Sequence, residues 1–163
     1  ACRVPGHLRR ERQRPQVQGF RGLEHKVQHA RVQPWPVRVY YHHTDAGGVV
    51  YHGTYLDFFE AARIELLHAL GFDLAEMAET RHAMFIVYRI TVDYHKPARL
   101  SDLLAVTAEI DRVGRARVVF GQRVLRDAEL LVSARVEAAC VHPRTLRPVP
   151  LPDALREGLQ ALV

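Results

Sequence analysis

The chain has 163 residues, 48% of them hydrophobic and 25% charged, the composition of one ordinary globular domain and too little for two. No apolar run approaches a membrane span, no charged-then-apolar secretion signal opens the chain, and two distant cysteines, Cys2 and Cys140, make no disulfide framework. The formal charge of +5 is uneven: residues 1–33 hold eight basic and two acidic side chains, net +6, and residues 34–163 hold fifteen and sixteen, net −1.

The first segment, 1–33, is rich in Arg, Gln, His and Gly and poor in patterned apolar residues. It cannot bury enough surface to offset the entropy of ordering its backbone, so a basic, disordered extension is expected there. An Arg-rich arm can tether a protein to nucleic acid or to an anionic membrane. The plainer reading, a non-essential extension, is preferred, and a mitochondrial-type targeting segment lacks its amphipathic helix and its serines. Two lone cysteines and a near-neutral folded part fit a cytoplasmic setting.

Order is expected from Pro34-Trp35-Pro36 onward. Val37, Val39 and Tyr41 alternate with Arg38 and Tyr40, the period of a strand, and Gly47-Gly48 breaks it. Thr54, with Asp57 three residues on, has the form of a helix cap. Tyr55, Phe59, Ala62, Leu66 and Leu70 then share one helical stripe, widened by Phe58, Ile64 and Leu67, and Gly71 is the natural terminator. Four alternating segments follow, around 88–94, 104–110, 116–125 and 132–140, turned by Val113-Gly114 and Arg126-Asp127-Ala128. Pro143 to Pro152 closes the last, and 153–162 reads as a short final helix. One strand, one long apolar helix and an antiparallel meander predict an α+β domain over 34–163. Its sheet edges and faces would invite homo-oligomerisation.

The residues with chemistry cluster at 42–54, His-His-Thr-Asp-Ala-Gly-Gly-Val-Val-Tyr-His-Gly-Thr. A carboxylate, Asp45, precedes a glycine turn and then a helix start, where N–H groups lack intrahelical partners and the helix dipole favours negative charge. That pairing suits attack on an acyl carbonyl. Asp is also a common cap of such a turn, and the residues alone leave both readings open.

Trp35 to Tyr41, Thr44 to His52 and Tyr55 to Arg63 together resemble the 4-hydroxybenzoyl-CoA thioesterase-like hotdog family. They are most similar to its Tol–Pal-associated acyl-CoA thioesterase branch, and the likeness continues more weakly to about residue 150. The resemblance implies a hotdog fold, a curved antiparallel sheet wrapped around one long central helix, assembled as dimers or tetramers. It implies hydrolysis of acyl-CoA, or of acyl-carrier-protein thioesters, without a cofactor. Asp45 matches the family's catalytic aspartate, as nucleophile or as general base, and His52 the position whose backbone N–H polarises the thioester carbonyl. Tyr51, Gly53 and Thr54 fall at the same helix start and are expected to contact substrate. His43 departs from the pattern, because related chains often carry an acidic residue there.

Other chemistries fit less well. His42, His43, Asp45 and His52 include zinc-ligand types, but neighbours on a strand point to opposite sides, so a metal is not expected. The only serines, Ser101 and Ser133, lack the G-x-S-x-G setting of a serine hydrolase, and no phosphate loop or dinucleotide fingerprint appears. Phe58-Phe59 and Tyr88 with Tyr94 could line an acyl tunnel, although such residues are more often core, and Lys96 and Arg99 could meet CoA phosphates. A non-catalytic acyl-CoA or acyl-carrier-protein binding module on the same fold is the alternative function.

Overall fold

The computed structural model describes residues 33–163. The basic segment therefore lies, except for Gln33, outside the described residues. Among the described residues there are five strands, β1 (Trp35–Arg38), β2 (Met84–Tyr94), β3 (Leu103–Val113), β4 (Arg117–Arg126) and β5 (Glu129–Val141). Three α-helices accompany them, α1 (Thr54–Ala69), α2 (Leu74–Thr80) and α3 (Asp153–Gln160). The strands form one antiparallel sheet in the order β1-β3-β4-β5-β2.

The α+β expectation holds, but a simple meander does not describe the sheet. β3, β4 and β5 are joined by tight turns, with Asp127 and Ala128 both at positive φ in the β4–β5 hairpin, the geometry that matches strand twist. β2 precedes them in sequence yet pairs with β5, so the chain crosses from one edge of the sheet toward the other between β2 and β3. The expected strand through Tyr41 also ends early. After Arg38 the chain pairs only with the turn at Ser101 and Asp102, and Tyr41–His43 winds into one turn of 3₁₀ helix.

α1 packs on β3 and β1 and buries Tyr55, Phe58, Phe59, Ala62, Leu66 and Leu67. Phe59 and Leu66 are fully buried, each worth roughly 1.5–3 kcal/mol against exposure. The helix stops at Gly71, whose φ of 84° is left-handed. There the Phe72 N–H reaches Leu67 O at 2.9 Å and the Gly71 N–H reaches His68 O at 2.8 Å. α2 escapes sequence detection because it is seven residues long and buries only Met77; its cap, Asp73, accepts from the Glu76 N–H at 2.9 Å. α3 forms as expected and lays Leu155 and Leu159 into the core beside β3.

Among the described residues one polar side chain, Gln122, enters this core. Gln122 of β4 is 1% exposed, donates to the carbonyl of Phe59 in α1 at 2.9 Å, and accepts from Arg63 Nη1 at 2.7 Å. The long helix is thereby tied to the sheet by directional bonds as well as by apolar packing.

Candidate active site

Residues 44–50 form a small hairpin. Thr44 pairs with Val50, the Asp45 N–H donates to Val49 O at 2.9 Å, and the Gly48 N–H donates to Asp45 O at 3.0 Å. Gly48 closes the loop at φ 72°, a conformation other residues adopt only with strain. The hairpin is docked on the segment after β2, where the Val50 N–H donates to Ala98 O at 2.9 Å and Val49 bridges Arg99.

The Asp45 carboxylate takes part in its own turn. Its Oδ1 accepts from the Gly47 N–H at 2.8 Å, so the capping role open at the sequence level is occupied by one oxygen. Among the described residues Oδ2 has no protein partner. The side chain lines a cleft of about 320 Å³ with Val49, Val50, His52, Tyr55, Tyr94, His95, Lys96 and Pro97.

α1 opens this cleft at its N-terminus. Its cap residue is Gly53, with no side-chain hydrogen bond to the helix, so the expected capping by Thr54 does not occur. Thr54 is the first helical residue, and its hydroxyl turns back to donate to the His43 carbonyl at 3.5 Å. Its N–H is taken by Tyr51 O at 2.9 Å. Among the described residues the N–H groups of His52 and Gly53 find no acceptor. Gly53 suits the position, since a Cβ there would stand 2.8 Å from the Tyr51 ring.

Two tyrosines hold the helix start. Tyr94 at the end of β2 donates from Oη to His52 O at 2.9 Å, and Tyr55 accepts at Oη from the Ala98 N–H at 3.1 Å. Burial raises both phenols above the ordinary range, with Tyr51 adding to the rise at Tyr94, so both stay neutral and Tyr94 keeps the proton it donates. Lys96 at the rim is ion-paired with Glu129, and Arg126 joins Glu129 to Asp102 behind it.

Of the residues singled out in the sequence, Asp45 and His52 share the cleft wall. Tyr51, Gly53 and Thr54 frame it without lining it. Tyr94 lines it and Tyr88 does not: Tyr88 donates to Glu137 Oε2 at 2.9 Å beneath the Arg117 guanidinium. Tyr55, His95 and Pro97 were not anticipated; Tyr55 comes from the first turn of α1, and His95 and Pro97 from the exit of β2, which the docking of the hairpin on Ala98 and Arg99 brings to Asp45. His42 and His43 are not on opposite sides of a strand, because the 3₁₀ turn sets their rings 3.9 Å apart. Even so, among the described residues no three His, Cys, Asp or Glu side chains are grouped to hold a metal. Cys140 is free and buried, and burial pushes its thiol up to about 11, which suits a packing residue and not a nucleophile.

The sequence profile described as the thioesterase superfamily matches residues 47–133, from the glycine turn through α1 and most of the sheet. A relative from Haemophilus influenzae, called an acyl-CoA thioesterase YbgC, is 42% identical over 128 residues, 78% of this chain and 94% of its own. This chain belongs to the thioesterase superfamily. A crystal structure of a probable thioesterase from Bartonella henselae is 35% identical, with a TM-score of 0.70 over 72% of this chain and 97% of that one. The fold is the hotdog, shared with a 1,4-dihydroxy-2-naphthoyl-CoA thioesterase from Synechocystis at 22% identity and a TM-score of 0.73, covering 78% and 95% of the two chains. The superfamily match holds His52, Gly53 and Thr54 and begins two residues after Asp45.

Proposed function

We propose that this member of the superfamily hydrolyses acyl-CoA thioesters to the free acid and CoA, with acyl-carrier-protein thioesters as a second substrate form. The observation that carries the reading is one cleft lined by a half-engaged carboxylate, Asp45, and by His52, at a helix start where the N–H groups of His52 and Gly53 have no acceptor among the described residues. The naming of the Haemophilus influenzae relative supports the thioester class.

A thioester has a good leaving group and needs an attacking oxygen and a place for the oxyanion. In the general-base route, Asp45 Oδ2 takes a proton from water while the water oxygen bonds to the carbonyl carbon. The developing oxyanion is met by the N–H groups of His52 and Gly53, backed by the helix dipole. Collapse breaks the C–S bond, and the proton held by Asp45 passes to the departing sulfur. In the nucleophilic route Oδ2 itself bonds to the carbonyl carbon, the thiolate leaves, and water then hydrolyses the mixed anhydride. Neither route requires a cofactor. Tyr51 and Thr54 act through the frame of the helix start, and His52 lines the cleft beside Asp45.

A homo-oligomer, dimer or tetramer, is part of the same reading. β2 is an edge strand of eleven residues whose Val87 and Tyr88 are 46% and 45% exposed, an edge that asks for cover. A cytoplasmic setting fits a CoA-thioester substrate and a free Cys140.

Free-thiol release over an acyl-CoA panel, with wild type and Asp45→Asn, tests the proposal. Loss of turnover by about a thousandfold with substrate binding retained is expected, on the scale of losing an activated nucleophile or base. A wild type that binds acyl-CoA and releases no thiol would make it a binding module. Single turnover in ¹⁸O-water separates the routes, since only the nucleophilic one can leave label in the Asp45 carboxylate.

A further inference from the structure

His43 sits where the Asp45 hairpin meets the start of α1, and three contacts converge on it. Its Nδ1 accepts the Tyr40 N–H at 3.0 Å. A backbone N–H can only donate, so that nitrogen is unprotonated and the ring is neutral. Its carbonyl accepts the Tyr51 N–H at 2.9 Å and the Thr54 hydroxyl at 3.5 Å. Tyr51 directly precedes the two unsatisfied N–H groups, and Thr44-Asp45 directly follows His43. One residue thus sets the register between carboxylate and helix start.

We propose that His43 is a positioning residue for the reaction, holding the carbonyl-polarising N–H groups of His52 and Gly53 in register with Asp45 only while its imidazole is neutral. This rests on the thioesterase reading above. A proton on Nδ1 would turn the acceptor into a donor aimed at the Tyr40 N–H. The 3₁₀ turn would lose that bond, and the carbonyl fixed to Tyr51 would lose its anchor.

The surroundings favour the neutral ring near neutrality and fail to hold it on acidification. His43 is half-buried against the Phe58 edge at 5.1 Å, and its ring is 3.9 Å from His42, itself stacked on Tyr40. Burial first, and the neighbouring His42 second, lower its pKa below the usual 6.5; Asp57 on α1 opposes them. The positive end of α1 adds a further penalty to a charged ring. With a depressed histidine pKa, the unfolded chain takes up the proton first. The turn is therefore fully supported above about pH 6.5 and is undermined as pH falls through the folded value.

The test is the pH profile of kcat/KM from 5 to 8.5 for wild type, His43→Asn, His43→Ala and His42→Asn, with NMR of the imidazoles and of the His52 and Gly53 amides. Wild type should lose about tenfold, the scale of that one hydrogen bond, as pH falls through a break under 6.5. His43→Asn offers an amide oxygen to the Tyr40 N–H; it should stay within about threefold of wild type at pH 8 and lose that break. His43→Ala should fall about tenfold at pH 8, the scale of one lost hydrogen bond, and show no break, so that the gap to wild type closes on acidification, and His42→Asn should move the break upward. The amide signals of His52 and Gly53 should follow the His43 titration. An unmoved break in His43→Asn, a His43 titrating at or above 6.5, or amides indifferent to it would each overturn the proposal. If the asparagine variant fails to fold, His42→Asn and the wild-type titration still decide. A wild type without turnover at any pH would sink the thioesterase reading instead, leaving the amide titration to judge the positioning.

Discussion

Gly47 donates its N–H to Asp45 Oδ1 at 2.8 Å, and a Cβ built on Gly47 would stand 3.0 Å from that same oxygen. The missing side chain at 47 therefore sets how the carboxylate lies in its turn. Gly47→Ala should fold normally, because φ at 47 is not in the left-handed region. It should nonetheless lower kcat about tenfold by displacing the carboxylate a few tenths of an ångström, since misplacement of a reacting group is costly. Gly48→Ala should behave in the opposite way. At φ 72° it adds about 1–2 kcal/mol of backbone strain and should lower Tm by several degrees. Steady-state kinetics beside thermal melts of the two variants checks the contrast.

Tyr94 donates to the carbonyl of His52, the residue that brings its own N–H to the helix start. In Tyr94→Phe that peptide loses its anchor on β2, while the ring stays against Tyr55. The expected outcome is a fall in kcat of about tenfold with KM little changed, from one hydrogen bond of about 0.5–1.5 kcal/mol acting on the donors. A variant in which KM rises and kcat holds would mean that Tyr94 serves as a wall for substrate only.

How much of this was legible in the sequence depends on the range of the interaction. The α1 stripe, its stop at Gly71 and the β3–β5 hairpins follow from periodicity and turn chemistry, which are local. Asp45 and His52 stood out because their spacing around Gly47-Gly48 is local too. The β2–β5 pairing was not legible, because strand order is decided by packing between distant segments. With it went His95 and Pro97 as neighbours of Asp45. Thr54 was misread for a subtler reason. A Thr three residues before an acidic residue is a good cap in isolation, but here the helix begins one residue earlier, with Gly53 as its cap and Thr54 already helical. The 3₁₀ turn overruled the strand alternation that had set His42 against His43.

Gln122 and Arg63 form a buried polar link whose worth depends on keeping both partners. Gln122→Leu would leave the Arg63 guanidinium, already lowered in pKa by burial, facing Phe120 without its acceptor, and the Phe59 carbonyl without its extra donor. A cost of about 2–4 kcal/mol is expected, read as a fall in the denaturant midpoint. Arg63→Leu should cost less, because the freed Gln122 oxygen is its only orphan. The double variant should recover part of the loss, giving a coupling of about 1 kcal/mol or more in a double-mutant cycle. Strict additivity would mean that the two side chains act separately.

The turn before β3 predicts an acid-sensitive seam. Burial works to raise the Asp102 pKa, but hydrogen bonds from the Arg99 N–H at 2.8 Å and from Arg126 at 2.7 Å outweigh it and hold the carboxyl below its usual range. A carboxylate depressed in the folded state contributes stability above its unfolded pKa and loses it as pH falls through the folded value. Asp102 also supplies the carbonyl that pairs with the Val39 N–H just ahead of the 3₁₀ turn, so this seam supports the approach to Asp45. Asp102→Asn should therefore melt a few degrees below wild type at pH 7, and the gap should close as pH drops below about 4. Thermal melts of both proteins across pH 3 to 8 make the comparison; a gap that stays constant with pH would show that the carboxylate's charge contributes nothing to this seam.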